Sequence, residues 1–267
     1  IVSPWTLGPW TLDPRTLDHT ISVRLSVMLL LNRRRSWWSP LLLLLAAGCS
    51  VRDAACGRQP EAPVVISEQQ AAAIKGEAPP TVQIAVLGDS LTAGFGLLQS
   101  EAFPALLGEE FATDGYAQVE MVNAGVSGDT TAGGLSRLEW VLEPNVRVLV
   151  VALGGNDALR GVPASATRDN LSKIVGTAKS RGVMVLLAGM EAPPNLGEDY
   201  RAAFRAVFPQ VAAEHDVPLV PFLLEGVAGQ PHLNQADGIH PTAEGQRIIA
   251  SLIYPRLQPI VDDLLSR

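Results

Sequence analysis

Four short motifs hold the residue types that could do chemistry in this chain. Gly88-Asp89-Ser90-Leu91 places a hydroxyl where an apolar run stops abruptly. A Ser at such a turn can expose its Oγ, with main-chain N–H groups beside it facing an anion, although Asp-Ser in a turn also serves simply as a helix cap. In Asn123-Ala-Gly-Val-Ser-Gly128-Asp129-Thr130 the glycines let backbone N–H groups approach a ligand, or merely form a turn and cap. Asn156, within Gly154-Gly155-Asn156-Asp157, can donate an amide hydrogen bond to a ligand or to its own backbone. Asp237-Gly238-Ile239-His240-Pro241 sets a carboxylate three residues before an imidazole. Held in a tight loop, that carboxylate accepts the ring N–H, fixes the tautomer and supports the imidazolium. The other histidines lack such a setting: His19 lies near the start, His215 ends a polar helix and His232 sits in a loop.

The elements that must position these motifs read as an alternation of strands and helices. Thr81–Leu87 is β-branched and apolar, and similar runs recur at 119–122, 146–153, 183–188 and 217–222. Helical stretches are expected between them at about 102–112, 131–142, 165–180 and 199–214, with a last one at 242–265. The spacing of Leu171, Ile174, Val175 and Ala178 illustrates the helical period. Such an alternation predicts a mostly parallel sheet covered on both faces. Ligands bind such sheets beyond the carboxyl ends of the strands. All four motifs fall at strand ends or just before the last helix.

Taken in order, the four motifs resemble the GDSL family of SGNH hydrolases, and within it the bacterial thioesterase/lysophospholipase and arylesterase branch. The resemblance covers about residues 81–260. It implies an α/β fold: a flavodoxin-like three-layer α/β/α sandwich on a five-stranded parallel sheet. It also implies Ser90 as nucleophile, His240 as base and Asp237 as its orienting acid. Gly128 (main-chain N–H) and Asn156 (side chain) would complete an oxyanion hole with the Ser90 N–H. The activity implied is hydrolysis of acyl or aryl carboxylic esters, and of acyl thioesters or lysophospholipids, through an acyl-enzyme on Ser90. The other reading is a tethered lipoprotein whose hydrolase fold only binds. Pocket walls are expected from the loops 158–161 and 190–194, with Leu159, Arg160, Met190 and Pro193 facing substrate. That assignment takes both loops to follow strands flanking the one that bears Ser90.

Other chemistries find no support in the sequence. There is no Gly-x-Ser-x-Gly elbow, and Gly94-Phe-Gly96-Leu-Leu-Gln99 lacks the third glycine of a dinucleotide fingerprint. No phosphate-loop Gly-Lys-Ser/Thr, His-Glu-x-x-His or calcium loop is present, so neither a cofactor nor a metal is expected. Nor is nucleic acid: the 267 residues carry 27 acidic against 20 basic side chains, a net −7.

The charge is unevenly distributed. Residues 1–48 hold five Arg, two Asp and four of the five Trp, whereas the remainder holds 25 acidic and 15 basic side chains. Residues 1–27, with Pro-Trp-Thr-Leu and Pro-Arg-Thr-Leu near-repeats, read as an upstream extension without a fold of its own. Residues 28–48 run from Met28 through Arg33-Arg34-Arg35 and Leu41–Leu45 to Ala46-Ala47-Gly48, the parts of an export signal. Cys49 follows in a lipobox-like setting, with Ala46 where Leu is commoner; ordinary cleavage without a lipid is the alternative. Cys56 is the one other cysteine, which leaves no disulfide framework or Cys-based zinc site. Residues 49–80, rich in Ala, Glu, Gln and Pro, read as a flexible tether, and 81–267 as the hydrolase domain. An exported monomer is therefore expected, periplasmic or membrane-anchored through Cys49, whose partner is a small acyl or aryl ester.

Overall fold

Five β-branched apolar segments pair side by side in the computed structural model, which describes residues 81–267. The extension, export signal, Cys49, Cys56, tether and His19 lie outside the described residues. The strands are β1 (Val82–Gly88), β2 (Val119–Gly125), β3 (Val146–Ala152), β4 (Met184–Ala188) and β5 (Leu219–Val220). All pairs are parallel and the order is β2-β1-β3-β4-β5. The five-stranded flavodoxin-like sheet expected from the sequence is the one observed.

Eight helices accompany the sheet among the described residues: α1 (Ser90–Ala93), α2 (Phe103–Thr113), α3 (Thr131–Ser136), α4 (Leu138–Val141), α5 (Gly155–Leu159), α6 (Ala164–Ser180), α7 (Glu198–His215) and α8 (Ala243–Leu265). Parallel crossovers are right-handed. The β1-to-β2 step runs one way along the sheet and the later steps run the other, so α2 covers one face while α6 and α7 cover the opposite one. Helix α8 packs on α2, and α6 on α7. The core between the layers is built from Ile84–Leu87, Val148–Val151 and Leu186–Leu187, with Phe103, Phe111, Phe204 and Phe208 from the helices. The central strands read as continuous apolar runs because both their faces are covered.

Two elements depart from the sequence reading. The helix expected over 131–142 is broken at Arg137, which leaves helical geometry at φ −107°, ψ 5°. Its guanidinium instead bonds Asp129 Oδ2 (2.6 Å) and the Gly88 carbonyl (2.9 Å), pinning the second motif to the end of β1. The strand expected over 217–222 pairs only at Leu219–Val220. Pro218 and Pro221 bracket it, and neither has an N–H to extend the ladder. The very short α1 and α5 fall within stretches read as turns, too brief to show helical periodicity.

The direction in which successive connections step along the sheet reverses between β1 and β3, which opens a crevice beyond their carboxyl ends. The first three motifs sit there.

Candidate active site

Ser90 is the first residue of α1, immediately past the Gly88 end of β1. The Asp89 carboxylate caps this helix by accepting from the Leu91 N–H (3.0 Å). A side chain on Gly88 would collide with Thr92, so glycine is what lets the strand turn so sharply into the helix. Gln246 of α8 holds the same turn from behind. Its buried amide donates to the Leu91 carbonyl (3.0 Å) and accepts from the Phe103 N–H (2.9 Å).

The loop ahead of α8 brings in the imidazole. It is closed by an antiparallel bridge between Asn234 and Pro241 and by the Gln235 N–H to the His240 carbonyl (2.7 Å). The Gln235 side chain donates to the carbonyls of Phe95 (2.7 Å) and Pro241 (3.0 Å), docking this loop on the one that follows α1. As a result His240 Nε2 lies 3.0 Å from Ser90 Oγ, and Nδ1 lies 2.6 Å from Asp237 Oδ2. The other Asp237 oxygen accepts from the backbone N–H groups of Ile239 (2.9 Å) and His240 (3.0 Å). Partial burial works against the Asp237 charge, but the ring N–H and the two backbone N–H groups outweigh it and hold its pKa at about 2. A carboxylate ionised at any working pH keeps the His240 proton on Nδ1. Nε2 is then a free acceptor for the Ser90 hydroxyl.

The second motif is tied to the end of β1, where the Val126 N–H donates to the Gly88 carbonyl (3.0 Å). Gly128 adopts φ +84°, a left-handed conformation that glycine takes without strain. Among the described residues, neither the Ser90 nor the Gly128 N–H donates to a protein acceptor. Asn156 is the second residue of α5 beyond β3, and one of its two amide hydrogens goes to Asp89 Oδ2 (3.2 Å). Asp157 ties these loops together. Its buried carboxylate accepts from the Thr131 N–H (2.8 Å) and hydroxyl (2.6 Å), joining the start of α3 to α5. A hydroxyl aimed at a free imidazole nitrogen, with unpaired N–H donors beside it, can attack an acyl carbonyl and hold the resulting oxyanion.

The four residues expected to face substrate divide. Leu159 ends α5 and is 53% exposed. The exposed Arg160 donates to the Gly128 carbonyl (2.8 Å), bridging the second and third motifs. Met190 is buried, its methyl close to Gly155. Pro193 is half-buried at the start of a 3-10 turn. Their shared premise needs correction: β3 borders β1, but β4, which precedes Met190 and Pro193, borders β3 and β5. Chain order suggested a neighbour that strand order moves one place away.

The sequence reading missed Phe95, whose ring lies 4.5 Å from that of His240 and is 51% exposed. It also missed the exposed Val126 and Ile239, close in sequence to Gly128 and His240 respectively. Their positions beside motif residues were the available signal. His215 is held by Ser172 (Nε2 to Oγ, 2.8 Å) and His232 is exposed in its loop. Among the described residues no three His, Cys, Asp or Glu side chains gather to hold a metal ion. No described helix is long and apolar enough to cross a membrane.

Residues 86–248, which run from the strand before Ser90 past His240, match the profile of the GDSL-like lipase/acylhydrolase family. The chain belongs to that family. This GDSL hydrolase is 42% identical over 199 residues to the esterase TesA of Pseudomonas aeruginosa, an alignment covering 74% of this chain and 94% of the relative. It is 41% identical over 178 residues to the thioesterase 1/protease 1/lysophospholipase L1 of Escherichia coli, covering 66% and 84%. A crystal structure of TesA superposes with a TM-score of 0.64 at 43% identity, over 66% of this chain and 98% of that one. The GDSL hydrolase is accordingly an esterase.

Proposed function

We propose that ester hydrolysis in this protein runs through an acyl-enzyme on Ser90, with His240 as general base and acid and Asp237 as its orienting carboxylate. The observation that carries this reading is the continuous chain from Ser90 Oγ through His240 to Asp237, at 3.0 and 2.6 Å. Ser90 Oγ attacks the acyl carbonyl carbon while its proton passes to Nε2. The carbonyl π electrons move to oxygen, and that oxyanion is held by the N–H groups of Ser90 and Gly128 and by Asn156 Nδ2. Collapse expels the alcohol or thiol, which takes the proton from His240. Water then gives a proton to His240 and attacks the acyl carbon, releasing the carboxylic acid and restoring the Ser90 hydroxyl. Asn156→Ala, which removes one donor on which charge develops, is expected to lower kcat by about 10²–10³-fold with the fold intact. Steady-state kinetics beside a thermal melt would check this.

The substrate proposed is a carboxylic ester carrying an acyl or aryl group. Apolar surface for such a group comes from the exposed Phe95, whose ring lies against His240, and the exposed Ile239 next to it in the chain, with the exposed Val126 and Leu159 close in sequence to Gly128 and Asn156. Acyl thioesters and lysophospholipids share that acyl chemistry. A p-nitrophenyl ester series tests it, run beside an acyl-CoA and a lysophospholipid. Each methylene newly covered by this surface should raise kcat/KM by up to about fourfold, corresponding to ~0.8 kcal/mol, until the surface is filled. A flat response would defeat the idea of a defined acyl site. The proposal extends to the remaining architecture: upstream extension 1–27, export signal 28–48, lipid attachment at Cys49 and tether 49–80 ahead of the catalytic domain 81–267. Arg33–Arg35, the Leu41–Leu45 run and Ala46-Ala47-Gly48-Cys49 support it.

A further inference from the structure

Asp89 is a carboxylate only 2% exposed, one residue from Ser90, and the reaction steps above make no use of it. Oδ1 caps α1 through the Leu91 N–H, and Oδ2 accepts from Asn156 Nδ2 at 3.2 Å. A side chain at Gly155 would press to 3.2 Å from that same oxygen, so the backbone of α5 is fitted closely against the carboxylate. The groups that act on it are the Leu91 N–H, the Asn156 amide, its own backbone N–H and the imidazole of His240. Arg137, which reaches the neighbouring Gly88 carbonyl, is engaged with that carbonyl and with Asp129.

An amide has two N–H bonds in one plane, so fixing the direction of one fixes the other. We propose that Asp89 is a positioning residue whose ionised carboxylate holds one Asn156 N–H so that the second points at the developing oxyanion. The inference rests on the assignment of Asn156 to the oxyanion site. Burial pushes the Asp89 pKa up to about 6 against the hydrogen bonds from Leu91 and Asn156. When Asp89 takes a proton, its carboxyl presents an O–H to the amide, and Asn156 turns its carbonyl toward it. The N–H donor is then lost from the site.

Asp89→Asn tests this, because the new amide oxygen still caps Leu91 while its NH₂ confronts the Asn156 NH₂. The expected result is a fall in kcat of about 10²-fold, the scale of one lost oxyanion donor, with KM changed less than about threefold. The thermal midpoint should hold, since the cap is kept. In an Asn156→Ala background the same substitution should cost less than about threefold more, because both changes remove one interaction. As pH falls through about 6, wild-type kcat should fall as Asp89 takes a proton. The variant should lack that component of the acid limb. Asp89→Ser, which keeps a capping oxygen but offers Asn156 no carboxylate, supplies a second variant if the first folds poorly.

Wild-type kcat in Asp89→Asn would overturn the inference, and so would full multiplication of its effect on the Asn156→Ala background. If Ser90→Ala is inactive while Asp89→Asn is normal, the positioning role alone fails. If Ser90→Ala retains hydrolysis, the acyl-enzyme reading fails and this inference falls with it.

Discussion

Ser90→Ala is expected to lower turnover of a short p-nitrophenyl ester by on the order of 10⁶-fold, leaving the protein folded. The size follows from what the side chain supplies. Its oxygen forms the bond to the acyl carbon, and no other hydroxyl is held 3.0 Å from His240 Nε2 among the described residues. The helix start does not depend on that oxygen, because its cap is the Asp89 carboxylate. Alanine also has a high helix propensity. What remains in the variant is binding and the backbone donors, worth about 10³–10⁴ over water. Initial rates with a thermal melt of the same preparation check both halves of the prediction. Near-normal rates in a folded Ser90→Ala protein would refute the mechanism.

His240→Ala should cost about as much, and the Ser90→Ala/His240→Ala double variant should be no slower than either single one. Nucleophile and base act as one unit: without Nε2 the serine proton has no acceptor, and without Oγ the imidazole has no proton to take. Two independent contributions would multiply instead. Asp237 does not set the acid limit of activity, because hydrogen bonds hold its pKa at about 2 and it remains ionised as pH falls through the working range. Protonation of Asp89 at pH about 6 contributes to the acid loss instead. A pH–rate profile whose acid limb began near pH 2 would contradict this assignment.

The parts of this site legible in the sequence are those fixed by local chain geometry. Ser90 stands where an apolar strand ends in glycine, and Asp237 stands three residues before His240, so turn and spacing alone announce them. The strands β1, β3 and β4 were visible as apolar runs because a doubly covered parallel sheet buries both their faces. What could not be read depends on contacts between distant segments. The break at Arg137 comes from its reach to Asp129 and Gly88, a tertiary preference that overrides helix periodicity. The pairing of Asp89 with Asn156 spans 67 residues and exists only because β1 and β3 are neighbours. The premise that the strand before Met190 and Pro193 borders β1 failed for the converse reason: consecutive strands in the chain need not flank the same partner. Phe95 against His240 depends on Gln235 docking two loops that lie 140 residues apart.

The central claim is that a covalent intermediate forms on one named oxygen. Treating the wild-type protein with a fluorophosphonate and locating the adduct by peptide mass spectrometry tests it most directly. The account predicts one adduct per chain on Ser90, loss of esterase activity in step with labelling, and no labelling of Ser90→Ala. Inactivation with the adduct on another residue, or equal labelling of Ser90→Ala, would contradict it.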